Sequence, residues 1–339
     1  MRAVGYQSPL PIDDPDALQD IELPEPVPTG HDLLVEVRAV SVNPVDTKVR
    51  RSAAPEPGQW RVLGWDAAGV VTATGPDVRD FTAGDEVFYA GSLHRSGTNA
   101  QFHLVDERIV GHKPKSLDWA QAAALPLTAI TAWEMLFDRL DIRRPVPGTV
   151  PSLLIVGGAG GVGSMAIQLA RALTDLTIIA TASRPETQEW VRSLGAHHVI
   201  DHRNALAGQV ANLPTGAPGF VFSTTQTDQH FADIVELLAP QGHLGLIDDP
   251  EELSALPLKR KSLSLHWELM FTRPMFETAD MAEQGKLLNE IASLVDSGRI
   301  RTTLGENFGP INADNLRRAH ALIESGRAKG KIVLTGFGQ

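Results

Sequence analysis

Apolar and polar residues alternate in short stretches through the first third of the chain, and Pro and Gly separate these stretches. This pattern is typical of strands in a β-rich domain. The clearest stretches span residues 33–40, 67–71 and 85–89. Helical spacing of apolar residues first dominates over residues 119–140. We therefore predict a β-rich domain over residues 1–127.

The sequence pattern changes in the middle of the chain, where runs made only of apolar residues alternate with helical stretches. Strands this apolar are buried on both faces, so they predict a parallel sheet flanked by helices. We assign residues 128–268 to this domain. The runs span residues 153–156, 177–180, 198–200, 220–222 and 244–247.

Residues 269–339 are mixed again. Helical spacing occurs at 281–297 and 316–326, and residues 331–335 form a closing strand that we expect to return to the first domain. The prediction is an α/β protein in which residues 1–127 and 269–339 form one domain around a second one.

Composition and charge exclude several classes of function. The chain of 339 residues has 30 Lys and Arg against 41 Asp and Glu, a net charge of −11 that repels nucleic acids and anionic lipid. It has no cysteine, which excludes disulfides, thiol catalysis and thiolate zinc sites. No apolar run is long enough to span a bilayer, and residues 1–6 do not resemble a signal peptide, so we expect a cytoplasmic protein.

A glycine-rich loop follows the strand at 153–156 and opens into a helical stretch. Gly158, Gly160 and Gly163 have the spacing of the dinucleotide fingerprint, and Gly161 and Val162 complete the loop. Backbone without Cβ atoms lets a pyrophosphate approach the free N–H groups of a helix N-terminus. The loop therefore predicts a bound dinucleotide; the alternative is a turn that only joins strand to helix.

The end of the next strand predicts which dinucleotide binds. NAD enzymes usually hold the ribose hydroxyls there with an acidic residue, whereas this chain has Ser183 and Arg184. A guanidinium suits a phosphate, so NADPH is favoured, although Arg184 could also be a solvated surface residue and Glu186 is a rival acid. His202, after the following strand, is a further candidate for the adenosine phosphate. His198 and His202 lack a third ligand, so we predict no metal there.

Small polar residues follow the strand at 220–222. Ligands of parallel sheets bind at the carboxyl ends of the strands, so Thr224 and Thr225 are candidates for contacts with the nicotinamide ribose. The alternative is a turn of small polar residues, to which Thr227 also belongs.

With these features in place, the sequence resembles the medium-chain dehydrogenase/reductase superfamily in its quinone oxidoreductase branch, over nearly the whole chain. The resemblance implies a GroES-like catalytic domain, an inserted Rossmann domain, an active site in the cleft between them, and a homodimer or homotetramer. It rests on six ordered motifs: residues 42–46, 64–71, 84–87, 123–133, 157–163 and 330–334.

The chain departs from the zinc-dependent members of that family. Asn43 stands where they carry a ligating Cys, and Gly64-Trp65-Asp66 stands where they carry Gly-His-Glu. We therefore predict a reductase without metal. The resemblance makes Asn43 a candidate for positioning nicotinamide or substrate, Asp46 for holding the hydrogen-bond network, and Thr128 for contacting the cofactor.

Each of these three residues also has a structural alternative. Asn43 and Asp46 could cap turns, and the Thr128 hydroxyl could bond back to its own helix. Tyr6, Trp65 and Tyr89 are candidates either for lining an apolar cleft or for the core.

The predicted function is transfer of a hydride from NADPH to a quinone or an α,β-unsaturated carbonyl. Two alternatives stay open. One is an alcohol dehydrogenase with an unconventional metal site, and the other is a non-catalytic protein that holds NADPH as a sensor or structural subunit.

Overall fold

The computed structural model describes residues 1–338, and these residues contain sixteen strands and ten α-helices. The strands are β1 Arg2–Tyr6, β2 Gln19–Glu22, β3 Asp32–Val42, β4 Arg61–Val62, β5 Ala67–Thr74, β6 Glu86–Tyr89, β7 Phe102–Asp106, β8 Val110–His112, β9 Ser152–Val156, β10 Thr177–Thr181, β11 His198–Ile200, β12 Phe220–Ser223, β13 His243–Leu246, β14 Ser264–Trp267, β15 Leu304–Asn307 and β16 Lys331–Thr335. The helices are α1 Pro44–Ser52, α2 Trp119–Ala123, α3 Pro126–Trp133, α4 Gly161–Leu173, α5 Pro185–Ser193, α6 Leu206–Ala211, α7 Thr227–Leu237, α8 Thr272–Phe276, α9 Glu283–Asp296 and α10 Ala313–Glu324.

The chain divides into two compact units. A central unit spans Thr131–Met270, and a terminal unit combines residues 1–130 with the residues from Phe271 onward. The sequence placed the two boundaries at 127/128 and 268/269, and the compact units separate at 130/131 and 270/271.

The central unit is a six-stranded parallel sheet in the order β11-β10-β9-β12-β13-β14. This is the doubly wound order 3-2-1-4-5-6, so the α/β expectation for this region is confirmed. Its inner strands are mostly buried, and all five residues of β9 are buried. The edge strand β14 is only partly buried. The strand order reverses between β9 and β12, and ligands of such sheets bind beyond the carboxyl ends of the strands at that point.

The terminal unit contains two sheets. In the larger one the order is β15-β16-β3-β5-β6-β8, with β7 also paired to β3, and in the smaller one it is β2-β1-β4. β16 pairs with β3 in antiparallel register, Leu334 opposite Val40. The expectation that the closing strand returns to the first domain is therefore confirmed.

The single helical stretch expected over residues 119–140 is wrong in detail. It consists of α2, α3 and a π-helical turn at Glu134–Arg139. Asp118 caps α2, accepting a hydrogen bond from the Gln121 N–H at 2.8 Å. Pro126 lacks an N–H and favours the first position of a new helix, so the helical pattern restarts there instead of continuing.

The three aromatic residues considered for a cleft are core residues. Tyr6, Trp65 and Tyr89 are at most 1% exposed. Their polar atoms are satisfied internally: the Tyr6 hydroxyl donates to the Ala53 carbonyl at 2.6 Å, and the Trp65 indole N–H donates to the Ser92 carbonyl at 3.1 Å. The Tyr89 ring stacks on His103.

Among residues 1–338, no helix is long and apolar enough to cross a membrane.

Candidate functional site

A buried polar cluster lies in the terminal unit where β3 ends and α1 begins. We define it by Asn43, Asp46, Asp66 and Lys331, which are between 0% and 3% exposed. Asn43 precedes α1, and its backbone N–H donates to Asp46 Oδ2 at 2.7 Å. Asp46 thereby caps its own helix from the third helical position.

All hydrogen-bonding atoms of the Asn43 side chain are engaged within this cluster. Nδ2 donates to Asp66 Oδ2 at 3.0 Å and to the Ser41 carbonyl at 3.3 Å, and Oδ1 accepts from the Lys331 ammonium. Asn43 therefore holds the cluster together. Its direct contact with nicotinamide or substrate stays a prediction.

Asp66 connects this cluster to the start of α3. Its Oδ2 lies 3.0 Å from Lys331 Nζ, and its Oδ1 accepts from the Leu127 N–H at 2.9 Å. A carboxylate at the N-terminus of a helix is stabilised by the unpaired N–H groups there. One side chain thus fixes the first turn of α3 relative to β16 and the end of β3.

The two buried carboxyl groups share one ammonium. Burial raises the pKa of Asp66, while Lys331 and the Leu127 N–H oppose that rise. Burial also raises the pKa of Asp46 to about 7, against the Asn43 N–H and Lys331, and the charge of Asp66 adds to the rise. The Asp46 Oδ1 atom is buried without a hydrogen-bond partner. Asp46 therefore exchanges its proton near neutral pH, where an ordinary aspartate is fully ionised.

Thr128 lies in the first turn of α3 and is 2% exposed. Its hydroxyl donates to the Leu125 carbonyl at 3.0 Å, which is the local bond described as its structural alternative. The predicted contact between Thr128 and the cofactor stays a prediction.

The donor set of this cluster does not fit a catalytic zinc. Zinc in proteins prefers thiolate, imidazole and unpaired carboxylate ligands, whereas here an amide and a carboxylate already bind an ammonium. Within residues 1–338, no three His, Asp or Glu side chains are grouped so that they could hold a metal ion.

The glycine loop of the central unit joins β9 to α4, and its glycines have different roles. Gly157 has φ +81°, and a Cβ there would lie 2.3 Å from Thr224 Oγ1. A Cβ on Gly163 would lie 2.3 Å from the Gly157 carbonyl oxygen, and one on Gly158 would lie 2.9 Å from Ala180 Cβ. These three positions need glycine because the loop packs tightly against itself and its neighbours.

Gly160 differs from these three glycines. It is the N-cap of α4, and a Cβ there would have only the Gly157 carbonyl oxygen nearby, at 3.5 Å. No side chain caps α4, so its first-turn N–H groups have no side-chain partner at the helix N-terminus. This arrangement fits a pyrophosphate at the helix N-terminus.

The residues predicted to select the cofactor follow β10 and β11. Ser183, Arg184 and His202 are all partly buried. Arg184 Nε lies 3.0 Å from Glu186 Oε1, so the rival acid pairs with the arginine. Arg203, which the sequence analysis missed, donates from Nη2 to the Ser183 carbonyl at 3.0 Å and so ties the two strand ends together.

The threonines after β12 are placed differently from each other. The Thr224 hydroxyl donates to the Val156 carbonyl at 2.8 Å and packs on Gly157, which stabilises the loop itself. Thr225 is exposed. Thr227 is buried, and its hydroxyl donates to Asp248 Oδ1 at 2.5 Å. Contacts of Thr224 and Thr225 with the ribose stay predictions.

Comparison with known proteins places the chain in a family. Residues 29–115 match the alcohol dehydrogenase GroES-like domain, and residues 194–334 match the zinc-binding dehydrogenase domain. A zinc-type alcohol dehydrogenase-like protein of Staphylococcus aureus (strain COL) is 40% identical over 338 residues, which cover 98% of this chain and 99% of that protein. The chain belongs to the medium-chain dehydrogenase/reductase superfamily. It is therefore a member of an oxidoreductase family that uses NAD(P).

Two further superfamily members show the range of names among its relatives. A crystal structure from Rhizobium etli CFN 42, provisionally assigned as a zinc-dependent alcohol dehydrogenase protein, is 67% identical, with a TM-score of 0.99 and coverage of 100% of this chain and 99% of that one. The human mitochondrial NAD(P)H oxidoreductase RTN4IP1 is 31% identical, over 90% of this chain and 81% of that protein.

Sequence reasoning missed Lys331 as a member of the buried cluster, although it belongs to one of the superfamily motifs. A signal was present: Lys331 opens the apolar run of β16, where a charged residue must be paired if it is buried. Its partners are not local, because Asn43 lies 288 residues away.

Proposed function

We propose that this protein transfers a hydride from NADPH to quinones or α,β-unsaturated carbonyls without a catalytic zinc. The observation that carries the proposal is the Lys331 ammonium bound by Asn43 and Asp66. The family resemblance makes these the positions at which zinc-dependent members carry ligands. A fixed positive charge there opposes a divalent cation.

The acceptor class follows from the lack of a Lewis acid in this proposal. NADPH supplies a hydride from C4 of its nicotinamide. Reducing a simple ketone concentrates negative charge on one oxygen, and a metal normally stabilises it. In a quinone or an enone the charge spreads over the conjugated system, so hydrogen-bond donors are sufficient. The buried cluster of Asn43, Asp46, Asp66 and Lys331 contributes by holding the N-termini of α1 and α3 in place.

The cofactor assignment rests on the central unit. The open position at Gly160 and the first turn of α4, which no side chain caps, suit a pyrophosphate, and the guanidinium groups of Arg184 and Arg203 suit a 2′-phosphate. NADPH is therefore our proposed cofactor, and the name of the human relative supports reduced nicotinamide use.

A second candidate is alcohol oxidation with bound metal, which the assignment of the Rhizobium etli relative favours. The experiment compares the two activities in one preparation. NADPH oxidation is followed with phenanthrenequinone and a panel of enones, and NADP⁺ reduction with primary and secondary alcohols, each with and without added zinc. Zinc bound to the purified protein is measured by mass spectrometry.

We expect quinone or enone reduction that chelator leaves intact, together with well under one equivalent of zinc. Alcohol oxidation that requires stoichiometric zinc would replace the proposal with the second candidate. Tight NADPH binding without turnover across the whole panel would favour a non-catalytic NADPH-binding protein.

A homodimer or homotetramer and a cytoplasmic location stay predictions. β14 forms one edge of the central sheet, and Trp267 and Leu269 at its end are 50% and 51% exposed. An edge strand beside exposed apolar groups is suited to pairing with a second copy. Light scattering of the eluting protein measures the mass directly.

A further inference from the structure

A groove of about 450 Å³ lies on the terminal unit, and we call it the Arg61 groove. Two segments of the chain line it, residues 60–62 and 93–96, together with Pro55. All of these residues belong to the terminal unit. The Arg61 groove and the buried cluster around Lys331 therefore share no residue.

The two segments that line the groove are held together by backbone contacts. The Gly97 N–H donates to the Val62 carbonyl at 3.0 Å, and a Cβ on Gly97 would overlap the Leu63 carbonyl group. Arg61 itself pairs with Tyr6 of β1 in antiparallel register. Because both segments are fixed to regular structure, the groove exists before any ligand binds.

The groove contains a positive charge without a partner. Arg61 is partly buried, and within residues 1–338 its guanidinium makes no hydrogen bond and no ion pair. The second guanidinium of the groove is neutralised, because Arg95 Nη1 lies 2.8 Å from Asp32 Oδ1. The described lining residues include no Asp or Glu. An anion that enters the groove therefore meets an uncompensated guanidinium and no repelling carboxylate.

Apolar surface adjoins this charge. Trp60, Pro55 and Leu93 line the groove, and each is partly buried. In the part of the chain that the structure describes, the Trp60 indole N–H makes no hydrogen bond, so it can donate to a ligand. A flat aromatic ring packs well on an indole and on apolar side chains. Apolar walls with a few polar donors are typical of a small-ligand site.

The charge of the groove favours one class of anion. A guanidinium binds a carboxylate through two parallel hydrogen bonds. One uncompensated guanidinium balances the single charge of a carboxylate, whereas a phosphate dianion would keep part of its charge unpaired. The features of the groove therefore match a monoanion that carries a flat ring.

We propose that the Arg61 groove binds a small aromatic carboxylate, with the carboxylate on the Arg61 guanidinium and the ring against Trp60. The inference goes beyond the proposed hydride transfer and does not depend on it. The groove lies in the terminal unit, whereas the cofactor assignment rests on the central unit.

Calorimetric titration near neutral pH tests the inference, with 2-naphthoate as the probe and 2-naphthamide as its neutral analogue. This comparison uses the wild-type protein and needs no variant. Arg61→Gln then removes the charge of the groove, and Trp60→Leu removes its indole. Arg51→Gln is the matched control, because Arg51 is an exposed arginine on α1 that does not line the groove. Thermal unfolding verifies that the variants are folded.

We expect wild type to bind 2-naphthoate with a dissociation constant of about 1 mM or lower, and 2-naphthamide at least about tenfold more weakly. Affinity for 2-naphthoate should fall at least about tenfold in Arg61→Gln and about threefold to tenfold in Trp60→Leu. It should be unchanged in Arg51→Gln.

Three results would overturn the inference. They are wild-type binding of 2-naphthoate weaker than about 1 mM, equal affinity for 2-naphthoate and 2-naphthamide, and full affinity for 2-naphthoate in folded Arg61→Gln. Each of them leaves the proposed use of NADPH intact.

Discussion

The Lys331 ammonium lies 3.0 Å from Asp66 Oδ2, and both side chains are almost entirely buried. The first residue of β16 is thereby joined to a residue that directly precedes β5 and also caps α3. A second buried carboxyl group, that of Asp46, lies nearby. The charge that stabilises its ionised form is that of the same Lys331 ammonium. The charge balance of this buried cluster therefore depends on one lysine.

Replacing Lys331 by Met should strongly destabilise the protein. The substitution leaves Asp66 buried without its charge partner, and such a loss typically costs about 3–5 kcal/mol. Urea unfolding measures this loss of unfolding free energy. Lys286→Met is the control, because the exposed pair of Lys286 with Glu283 should contribute less than about 1 kcal/mol. Adding Asp66→Asn to Lys331→Met should recover part of the loss. Equal losses of unfolding free energy in Lys331→Met and Lys286→Met would contradict the role assigned to Lys331.

Asp46→Asn should flatten the dependence of stability on pH. The pKa of Asp46 is about 7 in the folded protein, above its value of about 3.9 in an unfolded chain. The folded state thus holds the extra proton between these values, and stability falls as the pH rises through about 4 to 7. The slope from one proton is at most about 1.4 kcal/mol per pH unit.

Unfolding free energies of wild type and Asp46→Asn between pH 5 and 8 measure this effect. Asparagine keeps an oxygen that can accept the Asn43 N–H, so the helix cap is retained. Asp13→Asn, at an exposed aspartate, should leave the slope unchanged. A wild-type slope that survives in Asp46→Asn would assign the titration to another group.

Gly160→Ala and Gly163→Ala should separate cofactor binding from folding. A methyl group at Gly160 meets little protein but lies at the N-cap of α4, so stability should change little while NADPH affinity falls by about tenfold, or about 1.4 kcal/mol. A methyl group at Gly163 meets the Gly157 carbonyl oxygen at 2.3 Å, so that variant should lose stability. Calorimetric binding and thermal unfolding measure the two effects. Unchanged NADPH affinity in folded Gly160→Ala would mean that the loop is only a turn.

Arg184→Ala should weaken NADPH and leave NADH nearly unaffected, because only NADPH carries the phosphate. A charged hydrogen bond is worth about 1.5–3 kcal/mol, so the preference for NADPH should fall by about one to two powers of ten. Arg192→Ala, at an exposed arginine on α5, the helix that Arg184 precedes, should change neither affinity. Equal weakening of both cofactors by Arg184→Ala would show that its guanidinium does not read the phosphate.

The sequence by itself determined most of the central unit. Most of its strands are apolar runs, and the order of strand, glycine loop and helix is local, so periodicity and spacing were sufficient to predict them. The partly buried edge strand β14 lacks such a run and was not predicted. Gly157, Gly158 and Gly163 are required by contacts within the loop and with the next elements. The same locality made the position of the glycine loop in the fold predictable.

Tertiary structure alone decided what the charged residues do. Lys331 and Asn43 are 288 residues apart, and the pattern of β16 does not say which acid its lysine meets. Arg203 acquires its place through the Ser183 carbonyl, and Asn43 has its amide fully engaged inside the fold. A sequence gives the number and type of charges. Their pairing, and the pKa values that follow from it, depend on burial and distance, which exist only once distant segments have packed together.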